Sequence, residues 1–148
     1  MLIQSKEEFL KIINSLPHFK ILGIDYGRIK TGVAVYNSLI RLTMPRPTIM
    51  NLMVNPSKIS CLINEEKIDG IVIGLPLKKS GALPDNFSEI ELICQNIMTR
   101  TELPYYLSDE RYTTALANVL LKQLKMKRYQ RNKVDDQLSA CIILEKLF

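Results

Sequence analysis

The stretch Phe19–Tyr36 constrains this chain more than any other. Phe19-Lys20-Ile21-Leu22 and Val33-Ala34-Val35-Tyr36 are β-prone, and Gly23-Ile24-Asp25-Tyr26-Gly27-Arg28-Ile29-Lys30-Thr31-Gly32 sets glycines and charges between them. That order predicts two antiparallel strands joined by a tight turn. Side chains alternate along a strand, so Ile21, Gly23 and Asp25 share one face while Leu22 and Ile24 share the other. An aspartate therefore stands at the end of an apolar strand, beside a glycine that lets a backbone or a ligand approach. Taken alone, such an acid does no more than open a turn. Its meaning depends on what the rest of the chain brings to it.

Around the hairpin the pattern alternates. Ser5-Lys6-Glu7-Glu8 has the form of a capping box, and Phe9, Ile12, Ile13 and Leu16 follow at helical spacing before Pro17. A short opening helix over an edge or end of the fold is expected there, with His18 exposed in the linker. Leu39–Thr43 reads as a third strand, and Pro45 and Pro47 as a loop. Asn55-Pro56 starts a helix with Ile59, Leu62 and Ile63 inward. The continuous apolar run Ile68–Pro76 then predicts a parallel strand covered on both faces. Asp85 is placed to cap a helix carrying Phe87, Ile90, Ile93 and Ile97. Pro104–Leu107 is a further strand, with one of Tyr105 and Tyr106 in the core. Thr113 or Thr114 starts another helix, and Asn132 caps a last one running to Phe148. A meander followed by alternating helices and strands argues for an α/β fold, a mixed sheet with helices on both faces. The expected organisation is one domain over residues 1–148, of which 1–18 form an N-terminal helical extension.

Composition narrows the class. With 47% hydrophobic and 24% charged residues the chain reads as an ordinary globular protein. Its longest apolar run, Ile71–Leu77, is too short to span a membrane, and the N-terminus lacks a signal pattern. The three cysteines, Cys61, Cys94 and Cys141, have no metal-ligand spacing and are expected as buried thiols in a reducing, cytoplasmic setting. Lysine and arginine total 20 against 15 acids, and Lys122, Lys125, Lys127, Arg128, Arg131 and Lys133 crowd one stretch. That cluster suggests an anionic partner such as nucleic acid.

Acids at element ends occur in three places: Asp25, the pair Asp109/Glu110, and the pair Asp135/Asp136. In the last helix Asp136, Ala140, Ile143 and Leu147 fall on one face, so Asp136 heads the stripe that turns to the sheet. Asp135 shares a more exposed side with Ser139, Ile142 and Lys146, and suits the helix dipole. Carboxylates converging from these places would repel one another unless a cation neutralised them. All-oxygen ligation suits Mg²⁺ or Mn²⁺, and the lack of histidine or cysteine clusters argues against zinc. Up to two such ions, about 3.5–4 Å apart, activate a water and stabilise the leaving oxygen of a phosphodiester. Arg28, Lys30, Arg111 and the Lys122–Lys133 cluster, including Lys127, Arg128, Arg131 and Lys133, would then hold a phosphate backbone. Thr113 is a helix cap or a further phosphate contact.

Four motifs, in order, are Gly23-Ile24-Asp25-Tyr26-Gly27 with Gly32–Val35, Gly74-Leu75-Pro76-Leu77, Asp109-Glu110-Arg111-Tyr112-Thr113-Thr114, and Lys133-Val134 and Asp136 with Ile142–Glu145. Together they resemble the YqgF (RuvX) family over roughly residues 20–148. The resemblance implies a ribonuclease-H-like fold whose central sheet combines an antiparallel three-strand meander with two parallel strands, flanked by helices. It implies metal-binding acids at Asp25, Glu110 (with Asp109 adjacent) and Asp136. Its implied activity is phosphodiester hydrolysis, either in maturing the 5′ end of pre-16S rRNA, alone or on ribosomal particles, or in resolving four-way DNA junctions. Ile29 stands where the family usually carries a lysine, Thr31 where it carries an apolar residue, and Asn37-Ser38 where it carries Ser-Asp.

Other readings are weaker. A binding module without turnover would not need all three acid positions. Sugar kinases share an Asp-x-Gly hairpin but need a second lobe, and a dinucleotide fold needs a Gly-x-Gly-x-x-Gly turn that is absent here. A junction resolvase should act as a symmetric dimer; an RNA processor can act as a monomer or a homodimer.

Overall fold

The structure, a computed structural model, describes residues 1–111 and 128–148, the second span with side chains from residue 137 onward. Its elements are β1 (Leu2–Ile3), α1 (Lys6–Ile13), β2 (Lys20–Asp25), β3 (Lys30–Asn37), β4 (Leu42–Met50), α2 (Ser57–Glu66), β5 (Gly70–Leu75), α3 (Phe87–Met98), β6 (Tyr105–Asp109) and α4 (Arg128–Glu145). The strands form one six-stranded sheet in the order β1-β6-β5-β2-β3-β4. β2, β3 and β4 are the antiparallel meander, while β5, β6 and β1 run parallel to β2.

The alternation of β2 holds. Leu22 and Ile24 join Val33, Val35, Ile71 and Ile73 in the core beneath α2 and α3. Ile21 joins Ala34, Val72, Ala140, Ile143 and Leu144 in a second core, beneath α1 and α4. β5 is buried on both faces, as its unbroken apolar run requires. Ser5 caps α1 by accepting the Glu8 N–H at 3.1 Å, and Phe9 and Ile13 are fully buried. Tyr105 is the core tyrosine of its pair, and Tyr106 packs beside Phe9 on the other face.

Several expectations give way. The parallel part of the sheet has three strands besides β2, because Leu2 and Ile3 pair with Tyr105 and Tyr106. Two residues carry no periodicity of their own; the open edge of β6 makes them a strand. Pro45 and Pro47 lie inside β4 and not in a loop. β4 is the sheet's outer strand, where a ring nitrogen facing outward loses no ladder hydrogen bond. Neither α2 nor α3 has a side-chain cap: Pro56 and Asn86 stand at their starts, and Asp85 instead pairs with Lys78 at 2.9 Å. Cys61 is exposed, while Cys94 is buried. α4 already runs through Asn132, and Ser139 and Ile142 on its supposedly exposed side are buried. Thr113, Thr114 and Lys127 lie outside the described residues. Among the described residues no helix is long and apolar enough to cross a membrane.

Candidate active site

The sheet face under α4 differs from its reverse by what it lacks. Asp25, the last residue of β2, pairs with Gly32 of β3. On its other side β2 and β5 run parallel with Ile24 opposite Ile73, so the next position on β5 is Gly74. Gly23 lies two residues before Asp25 on the same face. The strand positions that flank this aspartate on its face are therefore glycines.

Helix and acid fill that space. A methyl group added at Gly23 would lie 2.7 Å from Leu144 Cγ and 3.0 Å from the Ala140 carbonyl oxygen. One added at Gly74 would lie 2.6 Å from Ile143 Cδ1 and 2.7 Å from Glu110 Cγ. Glu110 follows β6, its N–H donates to the Leu75 carbonyl at 2.9 Å, and its side chain crosses Gly74 on the α4 side. Asp25 and Glu110 thus flank one glycine on one face. Glu110 is 6% exposed, and its Oε2 lies 3.5 Å from the ammonium of Lys146 on the turn after α4.

Asp109 goes the other way. Alternation along β6 sets it opposite Leu75, with Tyr105 and Leu107 on the α3 side. Both its oxygens accept from Arg111: the backbone N–H and Nε reach Oδ1 at 3.1 Å, and Nε and Nη2 reach Oδ2 at 2.9 and 2.6 Å. The Arg111 guanidinium holds the Asp109 carboxyl below its ordinary value.

The hairpin end is braced from the α3 side. Tyr26, next to Asp25, is buried and donates its hydroxyl hydrogen to Glu89 Oε2 at 2.7 Å; Arg28 Nε donates to Glu89 Oε1 at 2.9 Å. Burial, then the Glu89 carboxylate, pushes the Tyr26 phenol up to about 12. Thr31 is wholly buried, and its hydroxyl donates to the Gly27 carbonyl at 3.3 Å. Ile29 is exposed at the turn, as is Lys30 at the start of β3. Asn37 and Ser38 serve the opposite end of the hairpin, accepting the N–H groups of Leu39 and Phe19.

Asp136 lies within α4, one helical turn before Ala140, the residue whose carbonyl nears Gly23. The C-terminal Phe148 stacks on Tyr36, which pairs with Ile21, so α4 runs from the Asp25 end of β2 towards its start. Arg128, Arg131 and Lys133 lie on the same helix. Side chains at these four positions are outside the described residues.

Glu89 carries no signal in the sequence, and Lys146, placed there on the exposed side of the last helix, instead reaches Glu110. Lys146 falls where a helix ends, which looks like a dipole-complementing charge. Glu89 lies in the first turn of α3, with the same ordinary explanation. Only the placement of strand ends beside them gives either a role.

A mixed sheet with its acids at the ends of β2 and β6, under a C-terminal helix, is the ribonuclease-H-like arrangement. Solved structures of the same fold include T. thermophilus RuvC with a Holliday junction substrate (TM-score 0.53, 10% identity, 85% of this chain and 92% of that one). Another is the Fowlpox virus resolvase with its substrate Holliday junction DNA (TM-score 0.55, 11% identity, 86% and 96%). The chain belongs to the RuvX family, described as Holliday junction resolvase, whose model matches residues 19–148. A Rickettsia africae (strain ESF-5) protein named "Putative pre-16S rRNA nuclease" is 35% identical over 147 residues, covering 98% of this chain and 94% of the relative. One of the same name from Rickettsia canadensis (strain McKiel) is 36% identical with the same coverage.

Proposed function

We propose that this chain is a divalent-metal-dependent nuclease that hydrolyses phosphodiester bonds in structured RNA, at the 5′ end of pre-16S rRNA. The observation that carries the reading is the pair Asp25 and Glu110 on either side of Gly74. Oxygen donors beside a glycine suit a hard cation, and a Cβ at Gly74 would press on Glu110 in that cradle. Asp25 and Glu110 would hold the metal, joined by Asp136 from α4. When bound, Mg²⁺ or Mn²⁺, as one ion or two, activates a water and takes up charge on the leaving oxygen.

The chain's own groups do the positioning. The ammonium of Lys146 offsets the charge of the buried Glu110. Lys30 at the turn, Arg28 shared with Glu89, and Arg111 would contact the phosphate backbone, joined by Thr113, Lys127, Arg128, Arg131 and Lys133, whose side chains lie outside the described residues. The relatives named for pre-16S rRNA, alike over 98% of the chain, support RNA as substrate. On this reading the chain acts in the cytoplasm, on free RNA or on ribosomal particles, as a monomer or a homodimer. The family's description favours a second reading, resolution of four-way DNA junctions, which calls for a two-fold dimer.

The test is a side-by-side assay of purified protein on immature ribosomal RNA and on four-way DNA, with and without Mg²⁺ or Mn²⁺. Metal-dependent cutting of RNA alone is expected. Cutting of the junction alone selects the second reading, and binding without turnover on either substrate rejects both.

A further inference from the structure

Among the motif acids whose side chains are described, Asp109 is the one that turns away from the cradle. It stands on the α3 side of the sheet, while Glu110 crosses Gly74 beneath α4. A carboxylate that holds a cation must offer it an oxygen. Here both oxygens of Asp109 are engaged by the neighbouring arginine through four hydrogen bonds of 2.6–3.1 Å, one from the backbone and three from the guanidinium. Resting on the nuclease reading above, we propose that Asp109 is a positioning residue, fixing the Arg111 guanidinium at the rim of the site for a phosphate of the bound polynucleotide.

The geometry gives the acid two residues before this arginine a role. A surface arginine samples many rotamers, and a substrate that recruits it must freeze them. The backbone N–H to Oδ1 bond closes a local turn, and the Nε–Nη2 edge then lies flat on the carboxylate. The planar fork is held in one orientation before any ligand arrives. Its Nη1 end points towards the loop after β5, where a methyl group on Gly81 would lie 3.8 Å away. Arg111 directly follows Glu110 in the chain, so the acid that crosses Gly74 and the guanidinium held by Asp109 leave the end of β6 from adjacent residues. A lysine at position 111 would keep the charge and lose the fork.

The experiment uses the intact protein. Mn²⁺ titrated by calorimetry should bind Asp109→Asn within about twofold of the parent, whereas Asp25→Asn loses the ion, as for a ligand against a group outside the ligand set. In an Asp25→Asn background, which blocks turnover, binding of a labelled RNA hairpin is followed against NaCl concentration. Asp109→Asn and Arg111→Gln should each weaken it about tenfold and lower the salt slope by about 0.7–0.9, one phosphate contact, whereas Arg111→Lys, which keeps the charge and loses the fork, should weaken it with the slope unchanged. The double variant Asp109→Asn/Arg111→Gln should be no weaker than Arg111→Gln alone. With the Asp25 carboxylate present, Asp109→Asn should raise KM more than it lowers kcat. Loss of Mn²⁺ binding in Asp109→Asn would make Asp109 a ligand and overturn the inference. Full additivity in the double variant, or an unchanged salt slope in Arg111→Gln, would overturn it too. A parent that cleaves and binds normally beside an unmoved Asp109→Asn rejects the inference alone. A parent that binds neither RNA nor DNA rejects the nuclease reading and this inference with it.

Discussion

The two faces of the sheet are built from the same strands and do different work. Under α2 and α3 the inward positions are Leu22, Ile24, Val33, Val35, Ile71 and Ile73, large and tightly buried. Under α4 the alternate positions on β2, β3 and β5 include Gly23, Asp25, Gly32, Ala34 and Gly74, and Glu110 crosses from β6. One face fills its space with branched aliphatics. The other leaves it open, so a helix can approach closely and carboxylates can reach the same glycine. Period-two alternation lets stability and chemistry be set independently along a single strand.

The sharpest way to break this comparison is Asp25→Asn. Metal-dependent cleavage should fall more than about 100-fold, beyond the usual cost of losing a group that only orients a metal ligand. Urea unfolding should keep its cooperativity. Retained cleavage would remove Asp25 from the site.

Ile73→Ala, one residue from Gly74 but on the other face, should do the opposite. Ile73 is 1% exposed, and emptying that volume should cost about 2–5 kcal/mol of stability. Activity per folded molecule should match the parent. A selective loss of activity at full stability would mean that the faces are not independent.

Between these lies Gly74→Ala. Its methyl would press on Ile143 and Glu110 at 2.6 and 2.7 Å, so the expected cost is about 1–3 kcal/mol from overpacking. Cleavage should fall as well, because one of the groups that must give way is Glu110. Unaltered kinetics would show that the cradle is wider than its glycine.

Much of this was legible in the sequence, and the limits have physical causes. The hairpin, the capping box at Ser5 and the buried run of β5 declare themselves locally, through turn glycines, a four-residue cap and unbroken apolarity. The place of Asp25 at the end of β2, on the face of Gly23, followed from the phase of one strand. Which of Asp109 and Glu110 shares the face of Gly74 depends on the phase of β6, and Tyr105-Tyr106 offers two aromatic neighbours with nothing local to say which is core. Pro45 and Pro47 misled because a strand's tolerance of proline depends on its place in the sheet, which sequence does not display. β1 was invisible for a related reason, since Leu2 and Ile3 become a strand only through Tyr105 and Tyr106. The contact of Lys146 with Glu110 depends on how α4 crosses the sheet.

The smallest effect expected is the most specific. Tyr26→Phe keeps the ring beside Asp25 and removes only the hydroxyl that donates to Glu89, a loss of about 1 kcal/mol. Its signature is in pH. The phenol's folded pKa, about 12, lies above its ordinary 10.0, so its stabilising contribution is complete below about pH 10 and is lost as pH rises through 12. Glu89 has the opposite sign: hydrogen bonding from Tyr26, then Arg28, holds its carboxyl below the ordinary 4.5. Its contribution is present above that value and fades as pH falls through the folded one. Urea midpoints of parent and variant should therefore differ by a constant amount near neutrality and converge at both extremes. On the alkaline side the parent should approach the variant as its tyrosine ionises. On the acid side the gap should narrow as Glu89 takes up its proton. A gap that stays constant from acid to alkali would mean that the hydroxyl only fills space and that Glu89 does not brace the strand end carrying Asp25.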